Sequence, residues 1–234
     1  MDKLSKYNIK DQRFLIHHHL GLGDHFVCNG IVNYISKITE AHISVICKQQ
    51  NYVTVCCLYS EDKNISIIPI DTDCEDQIQQ VNRYAIENDF RLLRFGFGDD
   101  HIDPKAWDMS FYKELGIDFI ERYRSFKLPK MPPETLLPVP SHKYIFVHDE
   151  SSEGKYDLKI LSNLPQICVN KTDTDNILAY IGLIQNAEEI HCVNSSLFHL
   201  VDSMSNITKK LYYHDIRLHP YSFQVSARWA IIGY

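Results

Sequence analysis

No apolar run in this chain approaches the roughly 20 residues needed to span a bilayer. Its N-terminus, MDKLSKYNIKDQ, is polar and carries no signal-peptide core, so a cytoplasmic location is expected. Cysteine is present without pattern: Cys28, Cys47, Cys56, Cys57, Cys74, Cys168 and Cys192 are odd in number and form no CxxC pair. That argues against a disulfide framework or a zinc site. Several lie in apolar runs such as HISVICK and QICVN, where buried free thiols are expected. An excess of positive charge is missing too, because 24 Lys and Arg stand against 30 Asp and Glu for a net −6. Nucleic acid, which needs clustered positive charge, is therefore not an expected partner. There is no internal repeat and no low-complexity segment.

What remains is an ordinary globular composition, 44% hydrophobic and 23% charged over 234 residues. That length suits one large domain or two of about 100 residues each. Apolar runs alternate with amphipathic stretches. RFLIHHH reads as a strand and HFVCNGIVNYISKI as a helix, with Phe26, Val27, Ile31, Tyr34, Ile35 and Ile38 at helical spacing. HISVICK, NISIIPI and FRLLRFG read as further strands, NYVTVCCLY and EDQIQQVNRYAIEN as helices, and Trp107 to Tyr123 as a helical tract. This alternation predicts a parallel sheet covered by helices.

The segment KLPKMPPETLLPVP holds five of the nine prolines, which predicts an extended linker over 127–140. Beyond it the alternation restarts with KYIFVH, QICVN, EEIHCVN and KKLYYHD as strands. DTDNILAYIGLIQNA and SSLFHLVDSM read as helices, and the tail YSFQVSARWAIIGY as another. The expected organisation is an N-terminal domain over 1–126, the linker, and a C-terminal domain over 141–234 whose tail packs back on the first. Both domains are α/β.

The stretch HHHLGLGDHF, His17 to Phe26, falls between the first strand and first helix. In an open α/β sheet, ligands collect at the carboxyl ends of strands. Glycines at 21 and 23 permit close approach of a substrate to the backbone, and the helix start favours negative charge. Asp24 is placed as the helix N-cap, which could be its whole role. A dinucleotide site does not fit. Phe26 stands where G-x-G-x-x-G needs its third glycine, and the second strand ends on Lys48, not an acid. Metal binding by the histidines is weak as well, because His17 and His19 share one strand face and His18 the other.

HLGLGDHFVCNGIVNYI resembles the opening of GT-B-fold glycosyltransferases, above all the ADP-heptose:lipopolysaccharide heptosyltransferase family, in which a Leu-Gly-Asp turn carries the proposed catalytic base. The matching residue is Asp24. FVHDESSEGKYDL, residues 146–158, is similar to the family's first strand and loop of the C-terminal domain, where hydroxyls and a lysine contact donor phosphates. Ser151, Ser152 and Lys155 match them; the family's usual arginine and tryptophan are absent. EEIHCVNSSLFHLVDSM, residues 188–204, resembles the pattern Asp-Thr-Gly-x-x-His-Leu-Ala. It matches at Asn194, Ser195, Ser196, His199 and Leu200, with Asn for Asp and Ser for Gly. A helix starting at Ser195 and Ser196 can hold a diphosphate in its own right, with His199 one turn on. The chain is shorter than most members, and its Asn-, Ile-, Lys- and Tyr-rich usage is that of an AT-rich genome such as a large DNA virus.

The resemblance implies two Rossmann-like domains facing across a cleft, and an inverting glycosyltransferase that moves a sugar from a nucleoside diphosphate sugar to a glycan hydroxyl. UDP-sugar is the first donor to consider, and neither a cofactor nor a metal is expected. Asp24 would be the general base, with His25 orienting it or touching the acceptor, and Gly21, Gly23 and His19 at the substrate. The loop GFGDDHIDP offers Asp99, Asp100, His101 and Asp103 either to acceptor hydroxyls or to a solvated turn. Two other readings stay open. Asp71 and Asp73 form an Asp-x-Asp triplet like that of metal-dependent GT-A transferases, and a non-catalytic nucleotide- or glycan-binding module would use Asp24 only as a cap.

Overall fold

The computed structural model describes residues 13–39, 41–71, 76–97, 102–170, 172–217 and 222–234. The chain divides into two units at Pro129 and Lys130, with 222–224 belonging to the first and 225–234 to the second.

The first unit alternates strand and helix: β1 (Phe14–His17), α1 (Leu22–Thr39), β2 (Ile43–Lys48), α2 (Tyr52–Leu58), β3 (Ile65–Ile70), α3 (Gln77–Glu87) and β4 (Arg91–Arg94). All pairings are parallel and the order is β3-β2-β1-β4, with Ile16 opposite Val45 on one side and Leu93 on the other. β1 is therefore central and fully buried, which is why it reads as a continuous apolar run. Leu15, Ile46, Ile70, Val81 and Ala85 make the core under α3. α1 is buried on nearly every side from His25 to Asn33, as expected of a helix packed on both a sheet and other helices. Tyr112 Oη donates to the Val27 carbonyl at 2.7 Å across that second layer.

The helical tract at Trp107 to Tyr123 is two helices, α4 (Trp107–Leu115) and α5 (Glu121–Arg124). Gly116 ends α4 in the left-handed conformation (φ 69°), donating its amide back to the last turn, a conformation costly for other residues. Asp108 and Arg122 form a fully buried ion pair between the two. Segment 222–224 returns here: Ser222 N donates to Pro104 O (2.7 Å) and Gln224 N to Asp108 Oδ1 (3.1 Å).

The second unit holds β5 (Ile145–His148), the hairpin β6 (Glu150–Ser151) and β7 (Gly154–Lys155), then β8 (Gln166–Cys168), α6 (Ile181–Asn186), β9 (Glu189–Val193), α7 (Ser196–Ser203), β10 (Lys210–Asp215) and β11 (Trp229–Gly233). Its main sheet is also parallel, in the order β11-β10-β9-β5-β8. The tail expected to be helical is instead the edge strand β11. It pairs with β10 and is pinned by Trp229 Nε1 donating to Asp202 Oδ1 at 2.9 Å. A short apolar run suits either structure, and here a strand partner decides. The helix expected through DTDNILAYIGLIQNA is also shorter, a 3₁₀ turn at Ile177–Tyr180 running into α6.

The proline-rich stretch is not a free spacer. Lys127 N donates to Asn29 Oδ1 within the first unit, and Leu137 N to Ala179 O within the second. Of the cysteines in the described residues, Cys28, Cys47 and Cys192 are buried free thiols. Cys168 departs from the expectation: it is exposed, because β8 is an edge strand. Among the described residues no helix is long and apolar enough to cross a membrane.

Candidate active site

Each parallel sheet has one point where its strand order reverses, and such crevices are where α/β proteins bind ligands. In the first unit that point lies between the carboxyl ends of β1 and β4. The chain leaves β1 through His18, His19 and Leu20, and α1 begins at Leu22. Asp24 is thus not the N-cap but sits in the first turn, three residues beyond Gly21. Its carboxylate folds back to accept the amides of Gly21 and of Asp24 itself, the N3 half of a capping box. A side chain at position 21 would collide with Asp24 Oδ2, so the glycine is what lets the carboxylate lie there.

Asp24 keeps part of its surface open, yet surrounding protein atoms desolvate it and push its pKa up to about 7. Its two amide hydrogen bonds and Lys48, at the end of β2, pull the other way and are outweighed. A carboxylate with a pKa near 7 is half ionised at neutral pH and much more basic than an ordinary one.

The histidines divide by strand face. His17 and His19 flank Phe97, at ring separations of 4.7 and 5.1 Å, and His19 also hydrogen-bonds the Gly96 backbone beyond β4. His18 turns the other way, edge-on to His25 at 4.6 Å. His25 is fully buried, and burial lowers its pKa well below 6.5. Neither of its ring nitrogens has a hydrogen-bond partner among the described residues, so no hydrogen bond from His25 orients Asp24 as expected, and its burial keeps it from an acceptor. Its ring points into the protein, because the rotation of α1 is set by packing on both sides. His17 accepts from Arg94 Nε at 2.9 Å; burial and that cation lower its pKa to about 3.

In the second unit the order reverses between β5 and β9, and the matched residues gather at the carboxyl ends of those strands. Ser195 caps α7, accepting from Phe198 N at 3.3 Å, so its hydroxyl is engaged in the helix and Ser196 opens the first turn. His199 is buried against Phe198. Ser151 and Ser152 lie on the β6–β7 hairpin. Ser151 is buried, accepts from Glu153 N at 3.1 Å and pairs with Tyr156 Oη. Ser152 is exposed at the tip. Lys155 is 60% exposed and meets Asp149 at 3.5 Å.

Other candidates are placed elsewhere. Asp99, Asp100 and His101 lie outside the described residues. Asp103 is a turn residue whose Oδ1 accepts from Lys105 N at 2.9 Å. Of the Asp-x-Asp pair, Asp71 follows β3 and Asp73 lies outside the described residues. Among the described residues no group of three or more His, Cys, Asp and Glu is disposed to hold a metal ion.

Reading the residues in order missed Arg217, two positions beyond β10. Its Nη1 donates to Asn194 O (3.1 Å), and its Nη2 to Glu153 Oε1 (2.7 Å) and Ser152 Oγ (3.4 Å). No motif surrounds it. The one available signal was its place just past a predicted parallel strand.

No family model matches the sequence, and no curated protein matches it. Solved structures do. The fold is similar to that of the iron-containing dodecameric glycosyltransferase TibC from enterotoxigenic E. coli H10407, at TM-score 0.58 and 13% identity, covering 96% of this chain and 63% of that one. The same comparison holds for TibC in complex with ADP-D-beta-D-heptose, at TM-score 0.57 and 12% identity over 96% and 63%. A glycosyl transferase family 9 protein from Veillonella parvula DSM 2008 is similar at TM-score 0.63 and 11% identity, covering 97% of this chain and 88% of that one. This chain therefore spans less than two thirds of the length of TibC. At these identities the likeness is one of fold.

Proposed function

We propose that this protein is an inverting GT-B-type glycosyltransferase built from its two α/β units. The observation that carries this reading is Asp24: a carboxylate held at the strand-order reversal of a Rossmann-like sheet, desolvated to a pKa of about 7. The similarity in fold to glycosyltransferases supports it, as does the gathering of Ser152, Asn194, Ser195 and Ser196 at the equivalent point of the second sheet.

In this reading the second unit holds a nucleoside diphosphate sugar and the first holds a glycan acceptor. An acceptor hydroxyl attacks the anomeric carbon, Asp24 takes the hydroxyl proton, and the bond from that carbon to the diphosphate oxygen breaks. One direct displacement inverts the anomeric configuration. The departing diphosphate takes the bonding electron pair and needs positive potential, which the α7 amides and Lys155 supply. His19 and the Gly21–Gly23 backbone wall the acceptor side. No metal enters the scheme.

A thermal-shift panel of UDP-, GDP-, ADP- and CMP-sugars tests donor binding, because a bound ligand stabilises the native state by mass action. UDP- and ADP-sugars are the first to try. The cognate donor is expected to raise the melting temperature and, with acceptor present, to release nucleoside diphosphate. A donor that binds but is never turned over would make the chain a binding module. An Asp24→Asn variant with most of the wild-type rate would remove Asp24 as base.

A further inference from the structure

We propose that Arg217 is the principal cation for the donor diphosphate and that Glu153 occupies its place until the donor arrives. This rests on the nucleotide-sugar reading above. Arg217 joins three segments at the strand-order reversal of the second sheet: it leaves β10, donates Nη1 to the Asn194 carbonyl after β9, and donates Nη2 to Ser152 and Glu153 on the hairpin after β5. Its side chain is only 13% exposed, whereas that of Glu153 is 47% exposed. Its Nε is buried with no hydrogen-bond partner among the described residues. The guanidinium is thus fixed in place, with Nη2 on the hairpin side.

Arginine's planar fork matches carboxylates and phosphates alike. Glu153 Oε1, 2.7 Å from Nη2, is the carboxylate now on that fork. It sits at the turn of a two-stranded hairpin, where its other oxygen accepts from Tyr156 Oη at 3.4 Å. A diphosphate could not share the fork with it, because the two anions would repel each other. Lys155 is less suited to the role: it is largely exposed and drawn to Asp149.

The test measures binding of ADP, UDP, GDP, CDP, inorganic pyrophosphate and the corresponding free nucleosides by isothermal titration calorimetry, on wild type, Arg217→Gln and Glu153→Gln. Loss of a charge-assisted pair should weaken diphosphate binding roughly 10- to 100-fold in Arg217→Gln. Nucleoside binding should not move. Glu153→Gln should bind the same ligands several-fold more tightly, since it removes a competing anion. A purely structural ion pair predicts the opposite for Glu153→Gln: unchanged or weaker binding. Either that result, or undiminished binding by a folded Arg217→Gln protein, overturns the proposal and leaves the glycosyltransferase reading standing. Wild type that binds none of the diphosphates and no pyrophosphate overturns both.

Discussion

Arg94 Nε donates to His17 Nδ1 at 2.9 Å, and Arg94 Nη2 is held in turn by Asn82 Oδ1 at 2.8 Å. A permanent cation aimed at one ring nitrogen makes that nitrogen the acceptor, so the proton of neutral His17 must sit on Nε2. With its pKa lowered to about 3 by burial and then by Arg94, His17 is expected to stay neutral, in the Nε2–H form, at every pH above about 4. Nitrogen chemical shifts in a histidine-labelled sample check this. Arg94→Gln should raise the pKa part of the way back toward 6.5, leaving the burial contribution in place.

Asp24 predicts the pH dependence of turnover. As the proposed base it must be ionised, so kcat/KM should rise tenfold per pH unit on the acid side and level off above an apparent pKa near 7. Asp24→Asn should lose about 10²- to 10⁴-fold in rate, flatten this limb and keep donor affinity. An acid limb centred near 4 in the wild type would show that the desolvated carboxylate is not the group titrating.

The fully buried Asp108–Arg122 pair should be costly to break from one side only. Asp108→Ala leaves Arg122 charged in the interior and deprives Gln224 N of its acceptor. A loss of about 3–5 kcal/mol is expected, read from urea unfolding. A loss below about 1 kcal/mol would mean that water reaches Arg122.

Acid should destabilise the second unit through a chain of hydrogen bonds. Lys159 N donates to Tyr234 Oη (2.7 Å), Tyr234 Oη meets His214 Nδ1 (2.7 Å), and His214 Nε2 meets His191 Nδ1 (2.9 Å). Glu189 lies 3.6 Å beyond His191 Nε2. Burial lowers the pKa of His191, and that of His214 to about 4. Their folded-state values lie below the unfolded value of 6.5, so the unfolded chain takes up protons first. The stability they confer is complete above pH 6.5 and is lost as pH falls toward 4. His148 acts in the same direction within this unit; in the first unit His17, His18 and His25 do so as well, against Asp24, whose raised pKa gains stability as pH falls. Denaturant midpoints measured from pH 8 to 4 should fall most steeply between 6.5 and 4. Tyr234→Phe should cost about 1 kcal/mol at pH 7.5.

Central strands were the most legible part of this fold, because β1, β2 and β9 are largely buried and mainly apolar. The edge strand β11 was not legible: Trp-Ala-Ile-Ile-Gly has no period that separates strand from helix, and only β10 beside it decides. The carboxylate at position 24 could be found from its glycines. Its place three residues into α1 could not, because a glycine at the N-cap has no side chain to mark the start. His25 shows what a motif leaves out, since the residue next to Asp24 faces inward once α1 is packed on both sides. Arg217 lies 64 residues after Glu153. A parallel sheet brings together strand ends from distant parts of the chain, and local spacing does not foresee such meetings.

The return of 222–224 to Pro104 and Asp108 has a consequence for the order of synthesis. At a translation rate of about 5–20 residues per second, roughly 5–20 s separate the emergence of α5 from that of Gln224. For that interval the first unit is a nearly finished body lacking its last strap, with Asp108 Oδ1 waiting for the Gln224 amide. The second unit, whose edge strand β11 comes later still, is meanwhile being assembled. The last strap of the first unit and the edge strand of the second are therefore made within about a dozen residues of each other.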